Sequence, residues 1–209
     1  DNNNVIGLPT ETVYGLAGNA YSSTSVRKIF KLKKRPIYNP LIIHYDSIKN
    51  LKKDAILNED FLKLYKSYCP GPITFILKKK INSRVSEFAT AKKKTIAVRF
   101  PKHKVIKKLL STIKFPLAAP SANISSKLSP TTAEDVVDEF GKKINFVLDG
   151  GQCKVGIEST ILDLTKKPNI LRPGIITSEK IKKVLKKKIK TKKNLKKIIA
   201  PGQLKSHYY

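Results

Sequence analysis

The order of apolar and helix-forming segments predicts an α/β fold, and three stretches carry that prediction. A short apolar run (Val5, Ile6, Leu8) meets Pro9, and Thr10, Glu11 and Thr12 follow it together. A helix-like segment comes next, with Ser22 or Ser23 as N-cap and Val26, Ile29 and Phe30 on one face. It runs into Lys31, Lys33, Lys34 and Arg35, and Pro36 stops it. After Asn39-Pro40 a second apolar run (Leu41, Ile42, Ile43) ends in His44. The pattern is a βαβ-like unit. Its strand ends present hydroxyls, a carboxylate and an imidazole, and its helix ends in cations. Such groups suit a site that grips a small polar molecule.

Composition bounds the remaining possibilities. The 209 residues suffice for one large domain, or a domain with an appendage, and 40% hydrophobic residues support a packed core. No apolar run approaches the roughly 18 residues of a membrane span, and no charged segment followed by an apolar one marks a secretory signal. The sequence begins at Asp1 and contains no methionine, which predicts a piece of a longer reading frame. Cys69 and Cys153 lie in unrelated contexts, so reduced thiols in a cytoplasmic protein are the expectation. The net charge of +28 invites a nucleic-acid reading. Yet only five of the 43 basic residues are arginine, a ratio that a lysine-favouring coding bias also produces. That bias makes the arginines informative. Arg35, Arg99 and Arg172 each sit beside or near a proline at an expected strand or helix end. Where lysine serves, this chain uses lysine; these three positions call for the planar guanidinium.

Further along, 46–58 reads as a lysine-rich loop and Glu59–Tyr68 as a helix with Phe61, Leu62 and Tyr65 inward. Pro70-Gly71-Pro72 breaks the chain before a strand over Ile73–Leu77, and 78–94 reads as an exposed excursion. Thr95–Phe100 alternates, with Ile96 and Val98 on one face and Thr95, Ala97 and Arg99 on the other. Arg99 is then either on a solvated edge strand or paired with an anion. A helix over 103–112 and a strand over 115–119 lead to Pro120-Ser121-Ala122-Asn123, whose hydroxyl and amide can face one ligand. Thr131 to Glu134 reads as a capping box opening a helix through Phe140, with Glu134, Asp135, Asp138 and Glu139 on a solvated face. Strands are expected over 146–148 and 156–163. An amphipathic helix opens at Ser178, and the run 186–197 reads as a basic linker.

Taken in order, PTETVYGL, K-x-R-P, N-P-L-I-x-H, Y-C-P-G-P-I-T, A-V-R, S-x-N, D-G-G with G-I-E-S-T, and L-R-P-G resemble the YrdC-like threonylcarbamoyl-AMP synthase family from Val5 to Tyr208. Ser126 stands where the family commonly has glycine, and Gly18 lies one residue later than the family's usual position. The resemblance implies an α/β fold: a twisted mixed β-sheet with surrounding helices and a basic concave cavity. It implies a synthase domain over 1–185. The segment 186–209, with its A-P-G-Q-L-K-S-H-Y tail, resembles the linker that leads to a second domain in longer members.

The implied activity condenses L-threonine, bicarbonate or CO2, and ATP into threonylcarbamoyl-AMP and pyrophosphate. A separate complex then transfers the threonylcarbamoyl group to tRNA. Mg2+ would accompany ATP, and double-stranded RNA binding and tRNA contact belong to the same expectation. Carried over residue by residue, Thr12, His44, Arg99, Ala119 and Ser159 form the threonine site. Lys33, Arg35, Asn39, Thr95, Ser121, Asn123, Ser129, Arg172 and Tyr208 form the nucleotide site. No side chain is assigned as general base and none as a metal ligand. No G-x-x-x-x-G-K-[ST] loop is present, so phosphates fall to side chains and Mg2+. The competing reading is a basic RNA-binding module without catalysis.

Overall fold

The computed structural model describes residues 3–191 and Pro201. Among the described residues, ten strands form one mixed sheet. They are β1 (Val5–Leu8), β2 (Gly15–Asn19), β3 (Ile42–His44), β4 (Ala55–Ile56), β5 (Ile73–Lys79), β6 (Thr95–Arg99), β7 (Leu117–Ala118), β8 (Thr160–Asp163), β9 (Asn169–Arg172) and β10 (Lys190–Thr191). Their order is β1-β2-β7-β3-β6-β5-β8-β9-β10, with β4 paired to β5 off that path. The helices are α1 (Ser23–Lys33), α2 (Ile48–Leu51), α3 (Glu59–Tyr68), α4 (Lys104–Thr112), α5 (Ala133–Phe140) and α6 (Ser178–Leu185).

The βαβ unit exists in split form. β2 and β3 are each antiparallel to β7, so they run parallel with β7 between them. The sequence pattern misses β2, because its residues, GLAGN, are poor strand formers. All five are nevertheless buried. Gly18 explains part of this: a Cβ there would stand 2.2 Å from the Ser25 hydroxyl oxygen, so only glycine lets α1 pack this closely on β2. Ser22 caps α1, accepting from Ser25 N–H at 3.1 Å.

Cross-strand register assigns the two faces of the sheet. Ile43, Val98, Phe75 and Leu162 lie opposite one another across β3, β6, β5 and β8 and belong to the main core. The next row, His44, Arg99, Thr74, Ile161 and Arg172, points to the other face by the two-residue alternation of strands. There, α4 covers the β1-β2-β7 side through Ile106 and Leu110 against Leu8, Ala17, Leu117 and Ala119. Ile42, Ile76, Ala97, Ile161 and Leu171 form a separate apolar floor.

Several expectations need correction. The region 46–58 is not a plain loop: it holds α2, capped by Ser47, and β4, because backbone lying against β5 must pair its polar groups. In α3 the inward residues are Phe61 and Leu64, and Leu62 faces water; at about 100° per residue, 62 falls off the 61–64–65 face. The excursion after β5 is not solvated throughout. Val85, Ser86, Ala89 and Thr90 are buried, and Ala89 O accepts from Leu41 N–H at 2.8 Å. The expected strand at 146–148 reduces to one bridge between Gly7 and Val147. The strand after Gly156 starts only at Thr160, since Ser159 O accepts from the Arg172 side chain instead of a ladder partner.

The capping box is displaced by one residue. Thr132 accepts from Asp135 N–H, and the Asp135 carboxylate accepts from Thr132 N–H. Glu139 is not on a solvated face: its carboxylate accepts from Ile124 N–H and pairs with Lys127. The basic run beginning at Lys186, the C-cap of α6, contains β10, which pairs with β9 and extends the sheet to Thr191.

Candidate active site

The β1–β2 connection is a tight turn built by Thr10, whose hydroxyl oxygen accepts from Thr12 N–H (3.1 Å) and Val13 N–H (3.2 Å) while its proton goes to Val13 O (2.7 Å). The turn aims Thr12 at the end of β6. Arg99 Nη2 donates to Thr12 Oγ1 at 2.8 Å and stands 2.9 Å from Glu11 Oε1. β6 is an interior strand between β3 and β5, so Arg99 is not on a solvated edge. Its Nε has no hydrogen-bond partner among the described residues. Glu11 Oε2 accepts from Lys102 N–H at 2.9 Å, which fixes the carboxylate from the side opposite the arginine.

His44, beside Arg99 in the same row, is buried with both ring nitrogens unpartnered among the described residues. Burial, and then the Arg99 charge, hold its pKa well below the ordinary imidazole value. The ring is therefore neutral, with one donor and one acceptor. Ser159, just before β8, and Arg172, at the end of β9, come next. Ser159 Oγ lies 2.7 Å from Thr74 Oγ1 and accepts from Arg172 Nη2 at 3.1 Å. Arg172 Nε donates to Ser159 O (3.0 Å) and Nη1 to Glu158 Oε2 (3.3 Å), while Ser129 Oγ donates to Glu158 Oε1 (3.1 Å). Gly174 keeps this corner closed, since a Cβ there would lie 2.6 Å from Thr160 N.

The end of α1 delivers the third group. Lys33 Nζ donates to Ser121 O at 2.6 Å and to Asn123 O, with Asn123 Oδ1 at 3.4 Å. Burial, and then Arg35, lower its pKa to about 7, while the three oxygens favour the ammonium form. Lys34, in the left-handed conformation, ends the helix and turns the chain back. Arg35 then donates from Nε to Asn39 O (3.1 Å) and from Nη2 to Pro40 O (2.9 Å). Burial and the nearby Arg172 lower its pKa to about 10, which leaves it charged at neutral pH. The Asn39 amide is fully buried, with neither its oxygen nor its nitrogen partnered among the described residues.

These side chains surround one cavity of about 470 Å³, open mouth included. All five residues expected for threonine (Thr12, His44, Arg99, Ala119 and Ser159) line it. Of the nine expected for the nucleotide, Arg35, Ser121 and Arg172 line it. Lys33 and Asn39 hold Ser121 and Arg35 directly, while Asn123 acts through Lys33 and Ser129 through Glu158, the partner of Arg172. Thr95 is not brought to the cavity: it is four residues from Arg99 on β6, about 13 Å along the strand. Tyr208 lies outside the described residues.

The residue-by-residue site assignment left out Thr10, Tyr14, Glu158 and Pro201, which line the cavity, and Glu11, which holds Arg99. Thr10 and Glu11 stand among the strand-end polar groups that the sequence marks, without a role of their own. Glu11 was legible as the carboxylate between two threonines. Nothing local marks Tyr14, whose hydroxyl donates to Gly151 O (2.9 Å) and accepts from Gly150 N–H (3.1 Å) far along the chain. Among the described residues no three His, Cys, Asp or Glu side chains gather as a metal cluster. The two site carboxylates, Glu11 and Glu158, are each engaged by an arginine, a donor set that does not fit a resident metal.

Comparisons with known proteins identify the family and the fold. A Sua5/YciO/YrdC family model, described as telomere recombination, matches residues 1–174. The chain is 44% identical over 183 residues to the threonylcarbamoyl-AMP synthase of Pyrococcus abyssi, covering 87% of this chain and 53% of that protein. It is 41% identical over 212 residues to the threonylcarbamoyl-AMP synthase of Bacillus subtilis, covering 99% of this chain and 61% of that protein. A crystal structure of P. abyssi Sua5 complexed with L-threonine superposes with a TM-score of 0.91 at 41% identity, over 96% of this chain and 60% of that one. The chain thus spans between about half and three-fifths of these relatives' lengths.

Proposed function

The chain belongs to the Sua5/YciO/YrdC family, and from that premise we propose that it is the synthase domain of an L-threonylcarbamoyladenylate synthase. The observation that carries the proposal is the charge balance of the cavity. Among the described residues, Arg99 has Glu11 and Arg172 has Glu158, whereas the hydrogen bonds of Arg35 go to backbone carbonyls. A buried cation whose protein partners are neutral calls for an anion, and a triphosphate supplies it.

Threonine lies at the other end. Its carboxylate meets Arg99, its hydroxyl and amine meet Thr12, His44 and Ser159, and Ile42 and Ala119 supply an apolar wall. Its neutral amine attacks CO2; a C–N bond forms and a proton leaves to solvent. A carbamate oxygen then attacks the α-phosphorus, the bond to the β-phosphate oxygen breaks, and pyrophosphate departs. Lys33, Arg35 and Arg172 offset the charge that develops, and holding three anionic groups together contributes through positioning. Mg2+ enters with ATP as its counter-ion. Thr95 and Tyr208 remain nucleotide residues only by family likeness.

Pro201 is buried in the cavity lining, which supports reading the segment 186–209 as a linker to a second domain. A purely RNA-binding role leaves the buried His44–Arg99–Arg172 row without a purpose. The test is pyrophosphate release from ATP and bicarbonate with L-threonine, with L-serine, and with neither. Threonine-dependent release is expected; equal release without amino acid would contradict the reading.

A further inference from the structure

One carboxylate in this chain sits where elementary electrostatics disfavours it. Glu139 lies in the last turn of α5, beside the negative end of the helix dipole. The chain has only 15 acidic residues against 43 basic ones, and the last helical turn suits a lysine. Glu139 is nevertheless largely buried and fully engaged. Its Oε1 accepts from Ile124 N–H at 3.0 Å, and its Oε2 takes the Lys127 ammonium at 2.9 Å. Both partners belong to the loop that follows Asn123. That loop is tied further by Asn123 itself, whose amide donates to Ile124 O (3.0 Å) and Lys127 O (2.7 Å). Ser125 N–H donates to Lys33 O at 2.9 Å. Ser126 takes φ 77°, a left-handed conformation that costs a non-glycine residue free energy and that other contacts must hold.

We propose that Glu139 is a positioning residue for the nucleotide side of the cavity. It clamps the 124–127 loop, and the loop in turn fixes Ser121, Asn123 and the Lys33 ammonium that their carbonyls hold. The inference rests on the function proposed above only for the identity of the ligand. His44, Arg99 and Ser159 on the threonine side stand on or beside β3, β6 and β8, which share none of these bonds with Glu139, so the effect falls on ATP before threonine.

The test is the ATP dissociation constant, measured by titration calorimetry, together with Michaelis constants for ATP and threonine. Glu139→Ala removes both clamps and should weaken ATP about tenfold, with threonine changed less than twofold. Glu139→Gln keeps the Ile124 acceptor and should weaken ATP about threefold, which decides the matter if the alanine variant does not fold. Asp138→Ala, on the exposed neighbour, should leave both constants unchanged. ATP affinity unmoved in the folded variants, or ATP and threonine weakened equally, would overturn the inference. An unaltered protein that binds ATP more tightly than the Glu139 variants but releases no pyrophosphate would sink the synthase reading while leaving the clamp intact. An unaltered protein that does not bind ATP would overturn both.

Discussion

At the scale of single residues, lysine abundance is what made the arginines legible. In a chain that defaults to lysine, Arg35, Arg99 and Arg172 each needed a guanidinium, and the structure buries all three around one cavity. Arg99→Lys keeps the charge but cannot reach Thr12 and a carboxylate in the same plane. Its Michaelis constant for threonine should rise tenfold or more, a change of about 1.4 kcal/mol. Arg27→Lys, a cation over the Phe88 ring at 5.2 Å, should leave the constant unchanged; equal effects would remove Arg99 from the site.

His44 was legible as a histidine ending an apolar run, but its neutrality was not, because that depends on burial and on Arg99. The unfolded chain binds a proton on this ring near pH 6.5 and the folded one does so only far lower, so stability falls as pH drops below about 6.5. Acidification from pH 6.5 to 5 therefore costs stability through this ring. Chemical denaturation at the two pH values should therefore show a larger acid loss for the unaltered protein than for His44→Asn. Identical losses would mean that the ring ionises in the fold.

At the scale of elements, strongly periodic segments were readable and context-dependent ones were not. The helices α1, α3, α4 and α6 follow their apolar spacing and caps. β2 was invisible because glycine and alanine carry no strand signal, and only burial between β1 and β7 makes it a strand. The helix start at Thr132 rather than Thr131 was ambiguous for a plain reason. Thr131-Thr132 offers two N-caps, and Glu134 and Asp135 offer two partners. The structure selects Thr132 with Asp135. Thr132→Ala should lower stability by about 1 kcal/mol and leave threonine-dependent turnover untouched; no loss of stability would contradict the observed cap.

At the scale of the whole molecule, the charge of +28 and the cavity make separable demands. Exposed lysines attract any polyanion, and that attraction falls steeply with salt. The cavity cations are buried, where screening is weak. Raising salt from about 50 to 200 mM should lower affinity for a duplex RNA by orders of magnitude, while the threonine Michaelis constant moves less than threefold. A parallel collapse of both would place the threonine site on the open surface. The cavity itself joins residues from Thr10 to Pro201. That convergence was readable only through the order of motifs, since no spacing rule brings positions so far apart in the chain together.

The most direct measurement follows the carbon of carbonate. The protein is incubated with labelled bicarbonate, L-threonine and ATP, and the nucleotide products are separated. The account predicts label, threonine and AMP in one molecule, formed one for one with pyrophosphate. Pyrophosphate accompanied by an unlabelled threonine adenylate would contradict it, because the cavity would then activate the amino acid without first making the carbamate.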